Sequence, residues 1–240
     1  MAFRGRKRAR RRRKVKATSK ASQLTVSQLG NMMKTVALRQ AETKVSSDTA
    51  ENLQLTHNGT YYKGGFFATT QGTQDPEGLG QSQRNRVGDE IIARGLKLKW
   101  WVANKADRPN VMYNIYIFYY NTLDTLTNSV FWRGTDGQGG TMNRMLDNPN
   151  PERIKVLKKI TVKSQEQYYA DPPDGKEHSY FRECWISFNN KKITYRRDAA
   201  TQPKGWDVAF AVVPYDSFGT LASDNIASFA WSSTFYYKDP

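Results

Sequence analysis

The chain has 240 residues, 38% of them hydrophobic and 12% aromatic, enough to enclose one sizeable core. Against 22 Asp and Glu it carries 37 Lys and Arg, a formal net charge of +15. A single cysteine, Cys184, excludes an intrachain disulfide and a cysteine-based zinc site, and the two histidines, His57 and His178, lack the spacing that seats a metal on one helical face. Nothing around those histidines marks a nucleophile and base, no run reaches the length of a membrane span, and no apolar stretch follows the cationic start as a signal peptide requires. The expectation is a non-enzymatic protein without cofactor, metal or membrane insertion, made and kept in a reducing compartment.

The charge is concentrated at one end. Residues 1–20 hold eleven cations and no acid: Arg4, Arg6, Lys7, Arg8, Arg10, Arg11, Arg12, Arg13, Lys14, Lys16 and Lys20. The remaining residues then carry 26 cations and 22 acids, which is close to neutral. Like charges at such density repel and bury nothing, so this segment is expected to be disordered until phosphates neutralise it. Arginine forks pair with phosphate oxygens whatever the base, which makes a sequence-indifferent, salt-sensitive nucleic-acid-binding arm. A basic run of this kind also suits a nuclear-import signal.

Residues 21–41 form the next unit, a short amphipathic helix with its linker. Leu29, Met32, Met33, Val36 and Ala37 recur at helical spacing, and Thr25 with Gln28 has the form of a capping box. Such a helix either packs on its own domain or lines an assembly; the pattern fits both.

From residue 42 onward the pattern is β. Two weaker runs, 42–56 and 61–70, precede Ile91 to Ala103, where Leu96, Leu98, Trp100 and Val102 alternate with Lys97, Lys99 and Trp101. Val111 to Tyr120 is apolar on both faces and is expected to be covered on both. In Ile154 to Lys163, strict alternation would put Lys155, Lys159 and Lys163 in one row, a candidate second phosphate-binding face. Tyr180 to Phe188, Lys192 to Arg197, Trp206 to Val213 and Ile226 to Tyr237 complete the series. With eight or so strands, no βαβ alternation, and long gaps at 71–90, 121–150, 164–177 and 214–225, the reading is an all-β, single eight-stranded antiparallel jelly roll over 42–240, a two-sheet Greek-key sandwich. The gaps at 71–90 and 121–150 are the expected outward or inter-subunit surfaces.

Several apparent motifs lead nowhere. The glycines from Gly134 to Gly140 lack the lysine of a phosphate loop, and Asn58-Gly59-Thr60 matches a glycosylation acceptor only formally. Asp89 with Glu90, and Asp171 with Asp174, read as solvent-facing turn residues.

Taken together, an Arg-rich arm, a short helix and one jelly roll resemble the capsid proteins of small icosahedral viruses. The likeness is to circovirus-like viruses with circular single-stranded DNA genomes and to the satellite necrosis virus coat proteins of plants. Ser82 to Val102 resembles the lead-in to a strand of the satellite coat proteins, and the aromatic terminal strand running to Pro240 resembles the end of circovirus-like chains. The resemblance implies a shell of sixty copies (a T=1 homo-oligomer) with arms turned inward onto a single-stranded genome, DNA rather than RNA. Sixty arms supply about 660 positive charges, a large share of what a genome on the order of a thousand nucleotides needs. It also implies residence in the virion and the host nucleus, with nuclear import receptors and a cell-surface receptor as further partners. The rival reading is a non-viral nucleic-acid-binding β module with a basic tail, whose exposed aromatics stack on bases.

Overall fold

The computed structural model describes residues 26–41, 43–72, 85–105, 107–108, 110–135, 143–163, 179–196, 201–216, 221 and 223–239. Arg4 to Lys20, Thr25, Asp171, Asp174, His178 and most of the Gly134 to Gly140 cluster lie outside these residues. Helix α1 spans Val26–Gln40 and belongs in its first part to a unit separate from the β body that begins at Leu38. Its apolar positions Leu29, Met32, Met33 and Val36 are each half or more exposed.

Among the described residues eight strands follow in order: β1 (Thr43–Thr56), β2 (Tyr61–Gly64), β3 (Glu90–Asn104), β4 (Val111–Asn121), β5 (Ile154–Lys163), β6 (Ser179–Thr194), β7 (Trp206–Asp216) and β8 (Asn225–Lys238). Two four-stranded sheets result, ordered β1-β8-β3-β6 (sheet 1) and β2-β7-β4-β5 (sheet 2), with every neighbouring pair antiparallel. Each of the pairs β1/β8, β2/β7, β3/β6 and β4/β5 thus contributes to a hairpin-like ribbon folded over onto itself, which is the jelly roll.

Alternation decides which side chains meet between the sheets. Sheet 1 sends in Leu96, Leu98 and Trp100 from β3 and Phe229, Trp231 and Phe235 from β8; sheet 2 answers with Tyr113, Ile115 and Ile117 from β4 and Val208, Phe210 and Val212 from β7. Phe210 is the hub, its ring 5.9 Å from Trp100 and 5.5 Å from Trp231, both nearly edge-to-face.

Strands β4 and β7 are buried on their second face too, as the unbroken apolar run of β4 requires. The cover comes from the excursion after β4: helix α2 (Asn128–Phe131) and Trp132 lay Val130, Phe131 and Trp132 over Tyr116, Phe118, Ala209 and Ala211. Small residues make the room, since a methyl on Gly64 would sit 2.7 Å from both Leu126 Cδ1 and the Tyr120 hydroxyl. Part of the 121–150 excursion is therefore core rather than outward surface.

The 71–90 gap likewise includes a packed part. Arg86 is fully buried, its guanidinium 4.0 Å from the ring centroid of Tyr195 and its Nη1 donating to the Gly88 carbonyl at 2.6 Å. Two further departures from the sequence pattern have local causes. Tyr180 to Phe188 and the start of the Lys192 to Arg197 run, as far as Thr194, are not separate strands but one strand, β6, because Asn189 and Asn190 take positive φ (51° and 60°) and form a bulge instead of a hairpin. The run 61–70 is a strand only over β2; it then turns at Gly65, φ 86°, and buries Phe66 and Phe67.

Candidate nucleic-acid interface

Of the two histidines, the one among the described residues is a core residue. His57 is 7% exposed, its Nδ1 accepts the backbone N–H of Asp216 at 3.2 Å, and burial lowers its pKa against the opposing pull of Asp216 and Asp224. Among the described residues no group of three or more His, Cys, Asp or Glu gathers to hold a metal. Cys184 is buried opposite Leu98, on the inner face of sheet 1. Asn58 of the apparent glycosylation triplet accepts the Arg144 N–H at 2.6 Å, so its side chain already closes a turn contact.

The lysine row on β5 does not survive as a row. Register runs Met112 with Lys163, Tyr116 with Lys159 and Ile117 with Lys158, then resumes at Phe118 with Val156, leaving Leu157 as the extra residue of a bulge. Directly opposed residues share a face, and one extra residue exchanges faces for everything beyond it. Lys159 and Lys163 therefore stand on the outer face of sheet 2, with Lys159 Nζ 5.2 Å from the Tyr116 ring centroid. Lys155 lies opposite Tyr119, a ring that packs toward the space between the sheets, and so occupies the other face. The strict alternation expected for Lys155, Lys159 and Lys163 fails at Leu157, and what remains is an exposed pair on an edge strand.

A second surface, only half legible in the sequence, lies on the outer face of sheet 1. Lys97, Lys99 and Trp101 do share this face, as their alternation requires. Strand β6 adds Phe181, Glu183 and Trp185 directly opposite Trp101, Lys99 and Lys97. Trp101, Phe181 and Trp185 are 48%, 57% and 50% exposed, unusual for three large rings on one sheet face. The signal for the β6 residues was present as alternation of Phe181, Glu183, Trp185 and Ser187 against Tyr180, Arg182, Cys184 and Ile186, but alternation alone does not say which set faces solvent.

At one end of this face a cleft of about 470 Å³ opens between Thr43, Arg94, Trp185, Ser187, Asn189, Asn190 and Tyr236. The Trp185 and Tyr236 rings lie 5.4 Å apart at 55°. Arg94 sits at a bulge in β3, where Ala93 and Gly95 pair with consecutive residues Tyr237 and Tyr236, and its Nη1 donates to Asn190 Oδ1 at 3.0 Å.

No protein-family model and no curated protein sequence matches the chain. Among solved structures it is similar to that of infectious bursal disease virus, Gx strain, with a TM-score of 0.37 and 10% identity over 82% of this chain and 32% of that one. The VP2 subviral particle of the same virus gives 0.33 and 14% over 81% and 33%, and T=1 particles derived from that virus give 0.32 and 12% over 81% and 32%. The chain spans about a third of the length of these chains. The assignment of a jelly roll rests on the strand order and register given above, independently of these likenesses.

Proposed function

We propose that the chain is a viral capsid protein that assembles with copies of itself into a closed icosahedral shell and packages a single-stranded genome through Arg4 to Lys20. The observation that carries this reading is a jelly roll, close to neutral as a body, joined to a segment of eleven cations and no acid. An ordinary soluble domain has no use for such a division of charge. A packaging subunit does: neutralising the arm on nucleic acid removes the repulsion that opposes bringing many copies together, so assembly and packaging become coupled. The role is structural rather than catalytic.

The finer parts of the proposal are supported by the resemblance to circovirus-like capsids. They are a sixty-copy T=1 shell, single-stranded DNA as cargo, nuclear import through the arm, and a cell-surface receptor. Ring contacts about the five-fold and three-fold axes would be heterologous and closed, and two-fold contacts isologous.

Light scattering and negative-stain microscopy on the expressed chain, with the 260 to 280 nm absorbance ratio read on the same fraction, test the proposal. Closed particles of megadalton mass that carry nucleic acid are expected, with the cargo destroyed by DNase after the shell is opened. A 27.5 kDa monomer that persists at moderate salt with nucleic acid present would replace the capsid reading by that of a binding module.

A further inference from the structure

We infer that the cleft on sheet 1 is a second nucleic-acid site, in which an unpaired base stacks on Trp185 while Arg94 holds the adjoining phosphate. The inference deepens the packaging role proposed above and rests on it for the identity of the ligand.

The stacking surface is built into the sheet. Gly95 lies beneath the indole of Trp185, so close that a methyl group at that position would run into the six-membered ring. The absence of a side chain lets the ring lie down on the strand, and Tyr236 bounds it at 5.4 Å. One face of the indole is thus supported by protein, while the residue as a whole stays 50% exposed. A ring held in this way has given up its rotamer freedom before any ligand arrives, which is the preorganisation that makes stacking effective.

The charges around it select an anion. Among the described residues of β3 and β6, Glu183 is matched by Lys97 at 2.9 Å and Glu90 by Lys192, and Arg94 and Lys99 add further positive charge. The bond from Arg94 to Asn190 engages one donor of the guanidinium fork and aims the group along the wall of the cleft. Ser187, Asn189 and Asn190 supply donors and acceptors that suit base edges without demanding one base. Subunit-interface centres are depleted in charge, whereas this cleft combines rings with cations and amides, as single-strand binding surfaces do. Duplex bases cannot reach such a ring, so the ligand is single-stranded.

The test uses the full chain and an oligothymidylate carrying 5-bromodeoxyuridine, photocrosslinked at salt high enough to screen the arm's phosphate contacts. Crosslinks on Trp185 or Tyr236 are expected. Trp185→Ala should weaken oligothymidylate binding at that salt by about fivefold or more, the low end of one base–aromatic stack, and Trp185→Phe should restore part of it. Gly95→Ala, which displaces the indole without removing it, gives the same loss should Trp185→Ala fold poorly. Particle size by light scattering separates this inference from the packaging role: crosslinks on Trp185 without particles would sink the shell and keep the cleft. Crosslinks confined to residues 1–20, or unchanged affinity in both variants, would overturn it. So would loss of particles in Trp185→Ala with no crosslink in the parent chain, which would make the cleft a subunit contact.

Discussion

Lys44 and Asp239 meet at one end of sheet 1, where the start of β1 pairs with the end of β8, with Nζ 3.0 Å from Oδ2 and side-chain exposures of 11% and 8%. The same pair gathers the turn before β3, because Lys44 also donates to the Asn85 carbonyl at 2.7 Å and Asp239 accepts the Val87 N–H at 2.6 Å. Removing one partner leaves a poorly hydrated charge behind, whereas removing both charges does not. Asp239→Ala is therefore expected to cost about 3 kcal/mol, and the pair Lys44→Met with Asp239→Leu clearly less than the sum of its parts. Urea unfolding followed by circular dichroism reads both; additive losses would show that the two groups are not coupled.

Asp207 makes the fold sensitive to pH. It is fully buried at the start of β7, and Oδ1 accepts the N–H groups of Phe67 at 2.9 Å and Val208 at 2.6 Å, which pins the turn at Gly65. Burial outweighs those bonds and pushes its carboxyl from 3.8 up to about 7. The folded state then holds a proton that the unfolded state releases near pH 4, so this contribution is complete below that pH and fades as pH rises through 7. Thermal midpoints of the β body should fall between pH 5 and 8, and Asp207→Asn should flatten the fall. An unchanged slope in the variant would assign the dependence elsewhere.

Phe131 should be among the costliest residues to truncate. It is completely buried, with ring centroids 4.6 Å from Trp132, 4.9 Å from Phe118, 5.4 Å from Tyr116 and 5.6 Å from Tyr62. Its backbone is fixed as well, the Phe131 carbonyl accepting the Asn150 N–H at 2.8 Å. Phe131→Ala opens a cavity over the outer face of sheet 2 and is expected to cost about 4 kcal/mol, Phe131→Leu about 1. Chemical denaturation measures both, and a loss below 1 kcal/mol in the alanine variant, on the same order as a surface change, would mean that α2 does not seal the sheet.

How much of this was legible follows from how many neighbours each residue needs. Strands β3, β4, β5, β7 and β8 show in their own alternation or apolar runs, since a half-buried or buried ribbon imposes its period on the sequence. The merging of β6 depends on the conformation of Asn189 and Asn190, which asparagine permits but does not announce. Leu157 left no trace: lysines occur at 155, 158, 159 and 163, so either register yields a basic face and only pairing with β4 places the bulge. Phe131 and Trp132 looked like loop residues because their burial is owed to Ala209, Ala211 and Gly64, remote in the chain. For the candidate site, the cationic segment and the Lys97–Lys99–Trp101 alternation were plain. The seat of Trp185 on Gly95 needed the β3–β6 register.

The cationic segment makes a prediction with a slope. If each of its eleven cations neutralises one phosphate of a single strand, the logarithm of affinity should fall with the logarithm of salt at a slope of about −8. Deleting residues 1–20 should remove most of that slope and the nucleic-acid content of any particles. The β body should keep its circular dichroism spectrum and urea midpoint, because among the described residues the core between the sheets draws on residues from Ala50 onward. Replacing the same cations by glutamine should act like the deletion, since it is charge and not chain length that releases counterions. A deletion variant that retains its cargo and its salt slope would place the phosphate contacts on the β body, with Lys99, Lys159 and Lys163 as the first to substitute.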